Sequence, residues 1–497
     1  MRHRSWVLLL LSLSLIQPPM TIGATSPLDM NLPSLGTAAD SSLSPSAERS
    51  LGAQLMHQVR ADPTYVADPV LNEYLNNLGY KLVSHAKTYT YQFSFFPIRD
   101  ASLNAFALPG GYIAVHTGTI IAARNENELA GVMGHEIGHV SQRHIARMIE
   151  NQKSNLPMTL GSLVLAILAA RAGGSSGGHA AAAIAMGSQA AMIQNMLNYS
   201  QDAEREADRV GLQTLYNAGF DPKGMQGFFE RLQQSNRFYE SAAPAYLSTH
   251  PLTIDRMSDM ENRVKQLPAQ HHKDSLEFSL IQFRAQVLQE NTHDGWLKLK
   301  KEYLRQLQTA QGQQVPLLHY GLSCVEQELG NVAEAYQHAQ LAMAAGHSAV
   351  LAQNLDFTQY LQARTASERK QAIQNTFRDM NRFPTSTMMA ETYVDLLYRD
   401  KQDDVLIKFL EGDASFEHSS NYQALLARSY ERLGQKSQQY RHTGEMYALL
   451  GDTEAAEYQY ALAQKANDGD FYTMSVIDAR LRELRQQIIE EKKNRDR

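Results

Sequence analysis

Apolar residues recur at helical spacing soon after residue 47. Leu51, Leu55 and Val59, then Val70, Leu71, Tyr74, Leu75 and Leu78, predict helix from Ala47 to about Lys87. The period then falls to two: Tyr91, Phe93 and Phe95 alternate with smaller partners over Thr88 to Pro97. A second strand-like run, Tyr112 to Val115, follows the Pro109-Gly110-Gly111 turn, and the two predict a small sheet beside the helices. Asn125 offers a helix cap, and Glu128, three residues on, completes a capping box. Leu129, Met133, Ile137, Val140 and Met148 then predict one helix over residues 126–150.

Past Pro157 the pattern changes. Met158 to Ala170 is almost wholly apolar, Ala172 to Gly178 is Gly/Ser, and His179 to Ala191 is Ala-rich. This predicts an apolar hairpin over 158–191, either a lid on the cleft or a membrane-contacting loop, with a buried helical pair as the plain alternative. Helical signals run on to about Gln266, and 267–274 looks like a linker in which His271 and His272 are read as exposed. Beyond it the chain is helical and repetitive. Gly330, Ala335 and Ala342 share their spacing with Gly451, Ala456 and Ala463, and Leu433-Gly434 lies 104 residues past Leu329-Gly330, close to three periods of about 34 residues. Val476, Leu481, Leu484 and Ile488 among charges predict a closing amphipathic helix.

The start of the chain has its own signature. Arg2 and Arg4 precede an apolar run from Trp6 to Ile16, Pro18 and Pro19 break it, and Ala24 is small enough for cleavage, so residues 1–24 read as a secretory signal. Residues 25–48, rich in Ser, Pro, Leu and Thr, are expected to be flexible. Neither the signal run nor Met158–Ala170 reaches the roughly 20 apolar residues of a spanning helix, which argues against an intramembrane enzyme. The 497 residues carry a net charge of −6 and no concentrated basic block, which argues against a nucleic-acid partner. The single cysteine, Cys324, excludes an intrachain disulfide and a zinc site of paired cysteines; its apolar surroundings predict a buried structural thiol.

The chemistry is concentrated in His135-Glu136-Ile137-Gly138-His139. Four residues apart on one helix, the two imidazoles project from one face and can ligate a single Zn²⁺, with Glu136 placed to act on a zinc-bound water as general base. A catalytic zinc needs a third protein ligand. Gln142 and Ile145 stand where a metzincin has its Gly and third His, and His144 falls one residue early and reads as structural. The better candidate is Glu204, with Asp208 four residues on to hydrogen-bond a ligating histidine from behind; Glu206 reads as solvated charge. His250, before Pro251, carries two functional readings beside that of a simple loop residue. It is either a latch that occupies zinc's fourth position or a donor that stabilises the oxyanion.

Together with Asn104-Ala-Phe-Ala-Leu-Pro-Gly-Gly111 upstream and Thr249-His250-Pro251 with Arg256 downstream, these motifs resemble the gluzincin metallopeptidases related to the HtpX heat-shock protease and the CAAX prenyl proteases. The Gly/Ala spacings, with Tyr430 and Tyr447, resemble tetratricopeptide repeats, about four of them. The expected fold is mostly α with a small β-sheet: a gluzincin metalloprotease domain over 49–266, then an α-helical tetratricopeptide-like solenoid over 275–497. The resemblance implies one zinc per chain and an exported, periplasmic endopeptidase with chaperone-like activity. Its implied partners are unfolded or misassembled outer-membrane proteins, the β-barrel assembly machinery met through the repeat domain, and the outer membrane in peripheral contact. The Tyr112–Val115 strand is expected to pair with extended substrate. A client-binding scaffold with structural zinc remains the alternative.

Overall fold

The computed structural model describes residues 43–86, 92–151, 199–238, 246–247 and 250–495. The signal segment 1–24, residues 25–42 and the apolar hairpin 158–191 lie outside these residues. Two helices open the described chain, α1 (Pro45–Ala61) and α2 (Pro69–Val83). Each starts for a local reason: the side chains of Ser44 and Asp68 accept a first-turn amide, and a proline occupies the first turn, where its missing N–H costs nothing. Helix α1 thus begins inside the segment read as flexible, and its Glu48 is buried in an ion pair with Arg143.

The sheet has three strands: β1 (Ser94–Ile98), β2 (Ala105–Leu108) and β3 (Tyr112–His116), in the order β1-β3-β2. Strand β3 runs parallel to β1, with Ser94 opposite Tyr112, and antiparallel to β2, with Ala105 opposite Val115. Gly110 and Gly111 turn the chain at φ +82° and +92°, values that favour glycine. The pattern missed β2 because all four of its residues are buried and show no alternation. That strand also corrects the expected substrate edge. Both backbone edges of β3 are already paired, so it cannot take a further strand; β2 has the open edge nearer the metal helix.

The sheet separates two cores. Phe96, Ile98, Phe106, Leu108 and Ala114 meet Leu55, Met56 and Val59 of α1. On the opposite face Phe95, Ala107, Ile113 and Val115 join Leu129, Val132 and Met133. These last three belong to α4 (Glu126–Ser141), which follows α3 (Thr117–Ala122). Asn125 caps α4 as expected, but the Glu128 carboxylate accepts from the Arg124 amide instead of completing a box. The single helix expected over 126–150 is broken. Arg143 takes φ +53°, and α5 (His144–Asn151) starts afresh. The buried Arg143 guanidinium bonds the Leu43 carbonyl and pairs with Glu48, so a contact distant in sequence secures a bend that the unbroken apolar period hides.

Helices α6 (Gln201–Asn217), α7 (Lys223–Phe238) and α8 (Ile254–Gln266) complete this part. The chain then forms α9 (Leu276–Gln289), α10 (His293–Leu307), α11 (Gln314–Glu328), α12 (Val332–Ala342), α13 (Ala349–Gln362) and α14 (Ala366–Arg382). It ends with α15 (Thr387–Arg399), α16 (Asp403–Glu411), α17 (Ser420–Arg432), α18 (Lys436–Leu449), α19 (Thr453–Ala466) and α20 (Phe471–Arg495). Sequential neighbours pack on one another. Gly330, Gly434 and Gly451 sit at positive φ in the turns, while Ala335, Ala342, Ala456 and Ala463 are fully buried. The twelve helices from α9 to α20 among the described residues exceed the eight that four two-helix repeats would use.

The linker is strapped down. His272 and Ser275 hydrogen-bond the Glu126 carboxylate at the start of α4, Asp274 accepts from the Glu126 amide, and the His272 ring lies 4.3 Å from Phe220. His272 is therefore not the exposed residue expected. Asp68 receives Arg284, and Glu73 receives Ser386 and the Met388 amide, and the core on the α4 face of the sheet runs without interruption into α9 and α11. Cys324 is buried within it. No helix among the described residues is long and apolar enough to cross a membrane.

Candidate metal centre

Helix α4 carries His135, Glu136 and His139, and α6 carries Glu204 and Asp208. Small residues let their backbones touch. A Cβ on Gly138 would sit 2.8 Å from the Ala207 carbonyl oxygen, and one on Gly211 would sit 2.8 Å from that of Gly134. The second variable position of the His-Glu motif thus sets the distance at which Glu204 faces the two histidines. Replacing Gly138 with Ala should therefore destabilise the protein by about 1–3 kcal/mol and weaken metal retention, although helix propensity alone would favour Ala by about 1 kcal/mol. A denaturant titration with a zinc assay checks this, and a stabilised variant that keeps its metal would contradict it.

Four donors converge: His135, His139, Glu204 and His250, all buried. The Nε2 atoms of His135 and His139 are 3.0 Å apart, and Glu204 lies 3.5 Å from the first and 3.3 Å from the second. His250 Nδ1 lies 3.0 Å from Glu204 Oε1 and 3.4 Å from His135 Nε2. Tetrahedral zinc with N/O ligands at about 2.0–2.1 Å separates its donors by about 3.3–3.4 Å. The donor set and these spacings fit zinc. Glu136 stands beside the cluster with both carboxylate oxygens buried and no aligned hydrogen bond, and its Oε1 is 3.6 Å from His250 Nε2.

The far sides of the histidines are also held. Asp208 Oδ1 is 3.0 Å from His135 Nδ1, and Arg256 grips the same carboxylate with Nε and Nη2 at 2.7 and 2.8 Å. His139 Nδ1 is 2.8 Å from His144 Nδ1, and His144 Nε2 is 3.1 Å from Glu206, which also receives Arg147. Glu206 is therefore not the solvated charge expected. It anchors the imidazole that orients His139, because the bend at Arg143 turns His144 back toward α4. Tyr199 stacks on His139 with ring centres 3.9 Å apart, and Tyr246 stacks on His250 at 4.4 Å. Helical spacing carried no signal for Arg256, Tyr199 or Tyr246, which reach the cluster from outside α4 and α6.

Electrostatics follow from burial and neighbours. Burial pushes the His135 imidazole down, but Asp208 and Glu204 outweigh it and raise it to about 9. A metal ion there competes with that proton. Burial holds His139 well below the usual histidine value. Glu136 is raised by burial, with the charges of His250 and His135 and the Ala107 amide pulling the other way. Burial would also raise Glu204, yet His250 and His139 hold it well below the carboxylate range.

Known proteins share this arrangement's sequence. Residues 69–264 match the model of peptidase family M48. A β-barrel assembly-enhancing protease of Escherichia coli is 32% identical over 480 residues, covering 94% of each chain. The chain belongs to peptidase family M48. A putative β-barrel assembly-enhancing protease of Vibrio cholerae is 43% identical over 259 residues, covering 51% of this chain and 52% of that one. The metalloprotease LoiP of Escherichia coli is 28% identical over 164 residues, 33% of this chain and 59% of its own. This M48 peptidase is accordingly a zinc metalloendopeptidase, and the scaffold alternative gives way.

Proposed function

We propose that this M48 peptidase works in the periplasm on unfolded or misassembled outer-membrane β-barrel proteins, with His135, His139 and Glu204 holding its zinc. The observation that carries the site assignment is the buried cluster itself, whose spacings match those of tetrahedral zinc donors. The substrate class rests on the β-barrel assembly-enhancing proteases that align along almost the whole chain. Bound among these donors, zinc supplies Lewis acidity toward the scissile carbonyl and the attacking water. Glu136 takes the water's proton and returns it to the leaving amine, a role suited to a buried carboxyl of raised proton affinity. Asp208 orients His135, and His144 orients His139. The open edge of β2, whose Ala107 amide faces Glu136, offers an extended substrate its backbone pairing. Such pairing selects extended chain over any particular side chain.

His250 is the resting fourth donor in this reading. Its Nδ1 turns into the cluster toward Glu204 and His135, and every member of the cluster is at most 1% exposed, which suits a closed enzyme. The domain plan goes with it: a protease domain over 49–266 and a tetratricopeptide-like domain over 275–497 that meets the assembly machinery. Purified chain should cleave an unfolded outer-membrane β-barrel protein and spare the folded barrel, and a zinc chelator should remove that activity until zinc is restored. Equal cleavage of both forms would remove the proposed selectivity.

A further inference from the structure

Among the described residues Arg256 is the largest fully buried side chain, at 1% exposure, and its three nitrogens are divided between two jobs. Nε and Nη2 grip Asp208. Nη1 donates to the Pro251 carbonyl at 2.7 Å while lying 2.7 Å from Glu204 Oε2. Pro251 directly follows His250 and has no amide hydrogen, so its carbonyl is the hydrogen-bonding handle its backbone offers. Upstream, the His250 amide donates to the Tyr246 carbonyl at 2.8 Å, and residues 251–253 adopt no regular structure before α8.

We propose that Arg256 is the positioning residue that holds the His250–Pro251 loop shut, with the α6 carboxylates as its fixed end and the Pro251 carbonyl as its moving end. This rests on the reading of His250 as the resting fourth donor. Opening the loop takes from Nη1 its aligned acceptor and leaves it the Glu204 carboxylate alone, so the closed loop is favoured by one charge-assisted hydrogen bond. Because the same nitrogen contacts Glu204, the clamp and the metal's carboxylate face share one charge. Lysine keeps the charge but cannot grip Asp208 with two parallel bonds and reach Pro251 as well.

A double-mutant cycle tests this on the zinc-loaded full chain, with two measurements: the rate of zinc extraction by a strong chelator and basal cleavage of a short peptide. Arg256→Lys is made in wild type and in His250→Ala. If Arg256 acts through the loop, its effect on both rates exceeds its effect in His250→Ala by about tenfold, the loss of one charge-assisted hydrogen bond. If it only orients Glu204 and Asp208, the substitution changes both backgrounds by the same factor, and the proposal is overturned while the latch stands. If His250→Ala by itself speeds neither extraction nor cleavage, the latch reading fails and this inference with it. Should Arg256→Lys not fold, Arg256→Gln enters the same cycle with the same two outcomes.

Discussion

Glu136→Gln should lower cleavage of an unfolded protein by about a thousandfold while one zinc per chain is retained. The substitution preserves volume in a fully buried position, so packing between α4 and β2 is undisturbed. What it removes is the ability to accept a proton, and no second carboxylate stands ready. Glu204 is turned into the cluster and held low by His250 and His139 against the effect of burial, and Asp208 is committed to His135 and Arg256. Glu204→Gln should fail differently. The neutral amide is a far poorer metal ligand and leaves Arg256 short of a countercharge, so most of the zinc should be lost and cleavage with it. Metal analysis beside turnover separates the two. Full cleavage by Glu136→Gln would remove it as the base, and full zinc with full cleavage in Glu204→Gln would remove that residue as a ligand.

The parts of this centre that were legible in the sequence are those governed by one helix at a time. His135 and His139 share a face because four residues make about one turn, and Glu204 and Asp208 follow the same rule on α6. The spaced Gly and Ala residues marked the later helices because a turn glycine at positive φ and a buried alanine are local requirements. What stayed hidden depends on chain returning from a distance. The bend at Arg143 is secured by Glu48 and Leu43, about a hundred residues earlier, and it alone turns His144 toward His139. Glu206 looked like surface charge because helical spacing cannot show that α5 lies across it. Strand β2 has no polar face to alternate, so the central place of β3, and with it the substrate edge, was misread. The 267–274 segment has a linker's composition, yet its polar residues are the straps that tie α9 to the start of α4.

His250→Ala should raise basal cleavage by at least about tenfold. In the resting arrangement the imidazole turns Nδ1 toward Glu204 and His135, at 3.0 and 3.4 Å, and is stacked under Tyr246. A side chain in that place excludes both water and substrate carbonyl, so the enzyme works only in the fraction of time that the loop is away, and apparent activity scales with that fraction. Each 1.4 kcal/mol by which the loop favours closure withholds a further tenfold. Removing the imidazole removes the occupant but none of the three proposed ligands, so zinc should be retained, though released faster to a chelator. The competing role predicts the opposite sign. If His250 swings out in use and donates Nε2–H to the tetrahedral oxyanion, its loss should lower kcat by about a hundredfold. Both roles can belong to one side chain at different moments, and the two substrates of a simple assay tell them apart. A short peptide, unable to displace the loop by binding along β2, should respond most to the loss of the latch. A long unfolded chain, which brings its own binding energy to open the loop, should respond most to the loss of the donor. A rate unchanged on both substrates would place His250 outside the working site.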